Sequence, residues 1–565
     1  MQINAFSSKN RLSVSGSRRL VAAQAAAPEI DMEVSGLKHL SPEARERAMA
    51  KKANNFEKVK RAKCGSNMWT EVHELSALLK EGKSTFEELD LDDVEVRLKW
   101  AGLFHRKKRA PETFMMRLKV PNGELTSTQL RSLGDIIKPY GEAGCADITT
   151  RANIQLRGIK LDDASDAINK IQDMGLTSFM TGMDNVRNLT GSPIAGLDPH
   201  ELVDVRETLV DMQNVITNYG KGRADLTNLP RKINICISPT RDDFPHTHIN
   251  DLGFQAVVNA DGEVVYNVEV GGYFSIKRNV TSIPLGISVT KDQLVPFAEA
   301  LMLVFRDHGP RENRQKTRLM WLVEEVGERA FAALVADRMG VDGFAPAVEV
   351  AYDDVWERRD ILGVHPQKQE GLSWVGACVP AGRFQTEDFY EMADIADKYS
   401  GGEMRITCEE NILFPNVSND SIEAMRAEPL FAKFKIDAGN VMRGLVSCTG
   451  SQFCGFALIE TKNRAIEIAE QLEAELNVPA PVRIHWTGCP NSCGQAQVAD
   501  IGLMGGPAKH EGKAVEGVRI FTGGKIGEGA VLAEQIEKGV PVRSDVLVPR
   551  LKEIMIEQYG CTEKA

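Results

Sequence analysis

Four cysteines near the C-terminus fall in two glycine-framed turns, Cys448-Thr-Gly-Ser-Gln-Phe-Cys454 and Gly488-Cys489-Pro-Asn-Ser-Cys493-Gly494. The pattern is C-x5-C, then 34 intervening residues, then C-x3-C. Four thiolates brought together are the ligand set of a 4Fe–4S cluster, and the chemistry they imply is electron transfer. Gly450, Gly455, Gly488 and Gly494 let backbone pack close to an inorganic core and aim N–H groups at sulfur. Zinc is the chief rival, although structural zinc sites favour spacers of about two to four residues; buried structural thiols are the third reading. Cys64, Cys145, Cys236, Cys378, Cys408 and Cys561 have no regular spacing, so a disulfide framework is not expected in so large a chain.

A second set is cationic. Arg117 lies in the strand-like Met116-Arg-Leu-Lys119, and Arg187 closes Met183-Asp-Asn-Val-Arg187. Read as one strand, Thr149 to Arg157 places Arg151, Asn153, Gln155 and Arg157 on one face. Arg231, Lys232 and Asn234 follow in Leu229-Pro-Arg-Lys-Ile-Asn234. A lone arginine on a strand reads as a solvated face. Four polar or cationic side chains in a row call for a polyanionic ligand, since Arg suits bidentate carboxylate recognition. His246 and His248 read as structural, because no cysteine or carboxylate set completes a metal site beside them; His485 precedes the second cysteine pair and is a candidate hydrogen-bonding group there.

The elements that position these residues are written twice. Val120-Pro-Asn-Gly-Glu124, with Ala146-Asp-Ile-Thr-Thr-Arg-Ala-Asn153, returns as Val379-Pro-Ala-Gly-Arg383 with Met404-Arg-Ile-Thr-Cys-Glu-Glu-Asn411. Met183 to Gly196 aligns without a gap on Met442 to Gly455, and Asp251-Leu-Gly-Phe matches Asp500-Ile-Gly-Leu. A repeat this long means a duplicated domain pair and not a solenoid of short units. Cys448 and Cys454 fall opposite Leu189 and Ala195, and Arg187 falls opposite Val446. One copy therefore holds the cysteines and the other the positive charge; packed about a pseudo-twofold axis, the two turns could face one cavity. Alternating strands and helices in mixed order give an α+β class.

At 565 residues the chain exceeds one ordinary core. Its 42% apolar and 26% charged content is that of a soluble globular protein, and no apolar run is long enough to span a membrane. Residues 1–28 carry four basic and no acidic side chains, five serines and an Ala-rich end, the composition of a transit peptide, with a plastid favoured by the serines. Removing that segment takes the formal net charge from −11 to −15. No basic stripe with interleaved aromatics suggests nucleic acid. There is no dinucleotide fingerprint either, so electrons are expected from a separate one-electron protein. An acidic donor would need a local basic patch, for which Arg106-Lys-Lys-Arg109 is a candidate beside the plainer reading as a solvated loop.

The two cysteine turns resemble the signature of the sirohaem-dependent nitrite and sulfite reductases. Met183-Asp-Asn-Val-Arg-Asn188, Asn228-Leu-Pro-Arg-Lys-Ile-Asn234 and His365-Pro-Gln-Lys-Gln369 are similar to the ferredoxin–nitrite reductase branch found in plants, algae and cyanobacteria. The likeness runs from about residue 45 to 560. It implies three domains around a central sirohaem whose iron is bridged to the 4Fe–4S cluster through Cys493, with Cys448, Cys454 and Cys489 completing the cluster. Carboxylates of the sirohaem would meet Arg151, Asn153, Gln155, Arg157, Arg231, Arg314 and Lys316, and the anion-binding residues would be Arg117, Arg187, Lys232 and Asn234. Sulfite reductases carry a second lysine where this chain has Asn234, and one fewer cation suits the singly charged nitrite.

The resemblance thus implies six-electron reduction of nitrite to ammonium by reduced ferredoxin, for nitrate assimilation in the chloroplast stroma, by a monomer. Plastid sulfite reductase and a non-catalytic iron–sulfur carrier are the alternatives. The expected organisation is a transit peptide over 1–28, a helical extension over 29–110, and ferredoxin-like halves over 111–166 and 373–425 forming one domain. A first-copy sirohaem and substrate domain would cover 167–372, and a second-copy cluster domain 426–565.

Overall fold

The computed structural model describes residues 30–565, and the expected transit segment lies outside the described residues. Short strands of the two copies build two five-stranded antiparallel sheets. In spatial order the first is Leu103–Arg106, Ala110–Arg117, Asn153–Ile159, Cys145–Thr149 and Arg383–Gln385. The second is Gly363–Pro366, Leu372–Ala377, Ile412–Ser418, Glu403–Ile406 and Glu124–Thr126. The last strand of each sheet comes from the other copy: Arg383 pairs with Asp147, and Glu124 with Arg405.

Directly after each exchanged strand a capping box starts a helix, Thr126 with Gln129 before Ser127–Ile137 and Gln385 with Asp388 before Thr386–Tyr399. The apolar faces merge into one core, where Phe114, Leu130 and Ile154 of the first copy join Phe384, Phe389 and Met404 of the second.

Two sequence expectations are corrected here. Leu103–Arg106 lies inside the stretch read as a helical extension, yet it is a strand, because Leu103 and Phe104 pair with Met116 and Met115. Thr149 to Arg157 is a hairpin rather than one strand. It turns at Thr150, Arg151 and Ala152, and Ala152 takes a left-handed φ of +44°. Arg151 therefore stands at the turn, and only Asn153, Gln155 and Arg157 share strand alternation.

The remaining parts of the copies form two further sheets of matching plan. Each contains a parallel pair, Ile235–Ser238 with Leu252–Val258 and Ile484–Thr487 with Ile501–His510, followed by antiparallel strands. Helix Lys291–His308 covers the first and helix Ser544–Tyr559 the second, each over its own apolar core. His246 and Gln495 lie five residues before Asp251 and Asp500 respectively, so they are repeat counterparts. Both adopt left-handed backbone (φ +61° and +58°), and the His246 Nδ1 lies 2.9 Å from the Gln495 Oε1. A position touching its own counterpart marks the pseudo-twofold axis.

Before the first sheet, helices Pro42–Met49, Asn55–Ala62 and Met68–Lys80 lie against the first copy. Their anchor is a buried charge network. Arg311, fully buried, donates to Glu57 at 3.1 Å and to the Asn228 carbonyl at 2.7 Å. Lys60 bridges Glu57 to Asp184, whose carboxylate also takes both Arg314 terminal nitrogens. Burial alone would raise the Asp184 pKa, but Arg314 and Lys60 hold it well below the carboxylate range. Since Asp184 belongs to the turn that carries Arg187, the extension braces that turn. Removing one partner of such a network costs about 3–5 kcal/mol, so Arg311→Met is expected to lower the unfolding temperature and speed proteolysis within residues 30–65. Both are read on the purified protein.

Candidate redox and anion-binding site

The first cysteine turn leaves the strand Leu445–Ser447 and the second leaves its parallel neighbour Ile484–Thr487. Register brings them together: the Cys448 N–H donates to the Trp486 carbonyl at 3.1 Å, and the Gly488 N–H donates to the Cys448 sulfur at 3.1 Å. The glycines are sterically required. A Cβ on Gly494 would stand 2.1 Å from the Trp486 oxygen, and one on Gly450 2.4 Å from the Thr461 hydroxyl. Cys489 is buried, Cys448 and Cys454 are half-buried, and Cys493 is exposed.

Burial, then Cys493, pushes the Cys448 thiol up to about 12, and burial with Cys493 and Cys454 raises Cys489. The four sulfurs thus sense one another and surround one region. Among the described residues no His, Cys, Asp or Glu trio gathers tightly enough for a single ion. The glycine-lined turns, with the Gly488 N–H turned to the Cys448 sulfur, fit a 4Fe–4S cluster.

Facing the cysteines are cations that have no carboxylate partner among the described residues. Arg117, at the end of its strand, donates to the Thr181 carbonyl at 3.3 Å and packs 4.5 Å from the centre of the Phe104 ring. Arg187 donates to the Met183 and Asn185 carbonyls of its own turn. Arg151 reaches the Asn250 amide oxygen at 3.2 Å. Arg231 and Lys232, both half-buried, have no side-chain hydrogen bond or ion pair among the described residues.

Burial and mutual repulsion push all of these down: Arg117, Arg151 and Arg231 to about 10, Arg187 and Lys232 well below their ordinary values. For Lys232 the repelling neighbours are Arg318, Arg187, Arg151 and Arg231. Asn234 is buried, its N–H held by Asp251 at 2.8 Å and its side-chain oxygen unpartnered. Arg117, Arg151, Arg231 and Lys232 are partly exposed and Arg187 is buried; a recess of like charges with an orphaned polar atom suits a polyanion.

Other expected contacts are differently placed. Asn153 is spent on backbone, donating to the Leu118 carbonyl at 2.6 Å and accepting from the Ile154 N–H. Arg157 pairs with the buried Asp147, donates to Thr449 of the cysteine turn at 2.7 Å and packs over Phe453, leaving one terminal nitrogen unpartnered. Gln155 lies 3.5 Å from Arg157. Arg314 is committed to Asp184, and Lys316 is exposed beside Trp321. His485 sits against the Gln495 carbonyl behind the second cysteine turn.

Sequence reasoning missed three cations. Arg106, read with its basic run as a donor-docking patch or a solvated loop, turns inward: its Nε is buried without a partner among the described residues, and Cys454 and Cys493 lie within its field. Burial and Arg157 bring it down to about 10. Arg318 pairs with the buried Asp251, which fixes Asn234. Lys119 is buried behind Arg187. The sequence offers no signal for any of the three; the strand that ends at Arg106 itself lies in the stretch that reads as a helical extension.

The "Nitrite and sulphite reductase 4Fe-4S domain" matches residues 182–342 and 438–563, and the "Nitrite/Sulfite reductase ferredoxin-like half domain" matches 106–174 and 365–432. The chloroplastic ferredoxin–nitrite reductase of Zea mays is 50% identical over 481 residues, 84% of each chain. The ferredoxin–nitrite reductase of Synechococcus elongatus is 47% identical over 519 residues, 92% of this chain and 99% of that one. The solved NirA protein of Mycobacterium tuberculosis superposes with a TM-score of 0.80 at 25% identity, covering 90% and 94% of the two chains. With both family domains matched twice and in order, the chain belongs to the nitrite/sulfite reductase family.

Proposed function

We propose that this chain reduces nitrite to ammonium with electrons passed singly from reduced ferredoxin. One observation carries the reading: the hairpin of Arg151 and Arg157 touches both cysteine turns, Thr150 donating to the Cys493 carbonyl and Arg157 to Thr449, and Arg117 lies on the neighbouring strand. Relatives named ferredoxin–nitrite reductase support the same substrate and donor. One nitrite, six electrons and eight protons give one ammonium and two waters.

Cys448, Cys454, Cys489 and Cys493 would hold a 4Fe–4S cluster, with Cys493, the exposed one, shared with a sirohaem. Arg151, Arg231 and the free nitrogen of Arg157 are the best-placed groups for the sirohaem carboxylates, with Gln155 beside them. Geometry lends less to Asn153, Arg314 and Lys316, whose polar atoms are spent or exposed. When bound, cluster and sirohaem supply the redox chemistry. The chain itself supplies an anion site: Arg117, Arg187 and Lys232 attract the oxyanion and stabilise charge as electrons arrive. Asn234 adds a polar group without charge, which favours nitrite over sulfite.

The electron donor has a matching surface. Lys108 packs beside the Gly455 of the first cysteine turn, 3.3 Å from where a Cβ would stand, so the turn of Lys107, Lys108 and Arg109 lies over the cluster loop. An acidic donor docked there would sit close to the cluster despite the overall negative charge of the chain. The plastid stroma is the compartment this reading assigns, from the composition of residues 1–28 and the chloroplastic relatives. Among the described residues no helix is long and apolar enough to cross a membrane.

Residues 29–565, purified as holoprotein, are expected to show sirohaem absorption and to turn over nitrite faster than sulfite with reduced ferredoxin. Faster sulfite turnover, or a protein without sirohaem absorption, would remove the reading. Asn234→Lys is expected to shift the nitrite-to-sulfite ratio of kcat/KM toward sulfite by about tenfold, the scale of one added partly buried charge. An unchanged ratio would show that position 234 does not select the substrate.

A further inference from the structure

Lys119 lies two residues beyond Arg117 and is 1% exposed. Its ammonium donates to two consecutive carbonyls of the Arg187 turn, Val186 at 2.9 Å and Arg187 at 3.2 Å. Among the described residues it pairs with no carboxylate. The charged groups facing it are Arg117 on its own segment and Arg187 on the turn, both of like sign. Asp184, the acid of that turn, is taken by Arg314 and Lys60. The Lys119 N–H donates to the Thr177 carbonyl, and next to it the Asn188 side-chain amide ties both backbone groups of Val120.

The duplication supplies a control. Lys119 precedes Val120 as Cys378 precedes Val379. The two positions are built alike: the Cys378 N–H donates to the Lys435 carbonyl, and its thiol meets the Met442 carbonyl of the matching turn at 3.4 Å. A neutral thiol therefore suffices to tie strand to turn in the copy that carries the cysteines. The amine appears only in the copy that carries the anion-binding arginines, although burying it there among cations is costly.

We infer that Lys119 is a positioning residue of the anion site, a strut that sets Arg187 against Arg117 and takes up a proton from solvent when an anion enters between them. The inference rests on the nitrite-reducing reading above. Geometry gives the strut, since Nζ spans the short path from the Arg117 segment to the Arg187 backbone. Electrostatics gives the proton. Burial, then Arg187 and Arg117, hold the free amine at about 7, and a bound anion offsets that repulsion and raises it. Above that pH the free enzyme holds a neutral amine and the complex an ammonium, so binding draws in a proton and weakens as pH rises. The slope reaches at most about tenfold in affinity per pH unit.

The test uses oxidised holoenzyme and nitrite, with binding followed by the visible spectrum and proton uptake by calorimetry in two buffers of different ionisation heat. The wild type is expected to take up part of a proton per nitrite between about pH 7 and 8, and its nitrite Kd to rise across that range. Lys119→Met, and Lys119→Cys as the residue the other copy uses, are expected to reduce the uptake and flatten the pH slope, leaving only the share of Lys232, which burial and neighbouring arginines also depress. Each should weaken nitrite about tenfold, the scale of one charge-assisted hydrogen-bonding group removed, with KM changed more than kcat. Uptake and slope undiminished in either folded, sirohaem-containing variant would overturn the inference. A holoenzyme that does not bind or reduce nitrite at all would instead remove the functional reading on which it rests.

Discussion

Like charges held out of water repel, and the centre of this protein is arranged around tolerating that repulsion. Arg106, Arg117, Arg151, Arg187, Arg231 and Lys232 converge without carboxylate partners among the described residues, and each is destabilised by burial before its neighbours are considered. They stay in place because the rest of the fold gives them no alternative. Backbone carbonyls hold Arg117 and Arg187, Phe104 supports Arg117, and the turn beneath Arg187 is pinned by Asp184, Lys60 and Arg314. Acids are present, but one step removed, where they neutralise the supports and leave the recess positive. The recess is therefore ready for a polyanion before one arrives.

Duplication is what lets one chain hold two incompatible environments side by side. Thiolate ligands and unpaired cations would each disturb the other if interleaved on one turn. Here matching turns of two copies carry them separately, and packing brings the turns together. The contact of His246 with Gln495 and the exchange of edge strands fix that packing from two directions.

Much of this was legible in the sequence, for physical reasons that differ by residue. The cysteine turns were readable because metal ligation demands both a residue type and glycines at fixed offsets. The repeat was readable because Asp251 and Asp500, and Asn153 and Asn411, occupy the same structural posts. The hairpin at Arg151 was not, since its left-handed residue is Ala152, which lacks the glycine that would announce a turn. The exchanged strands were missed because Glu124–Thr126 and Arg383–Gln385 are too short for any period. Lys119 hid between Leu118 and Val120 in an apolar run, where only tertiary neighbours reveal what a lysine does.

The strand exchange has a consequence for how the chain is made. The edge beside Cys145–Thr149 is covered only by Arg383–Gln385, and Glu124–Thr126 finds its sheet only when Glu403–Ile406 exists. At ribosomal rates the first half therefore waits roughly tens of seconds with an open sheet edge and half a core. The duplication that gives the finished enzyme two matched halves denies the nascent chain an independently complete first half.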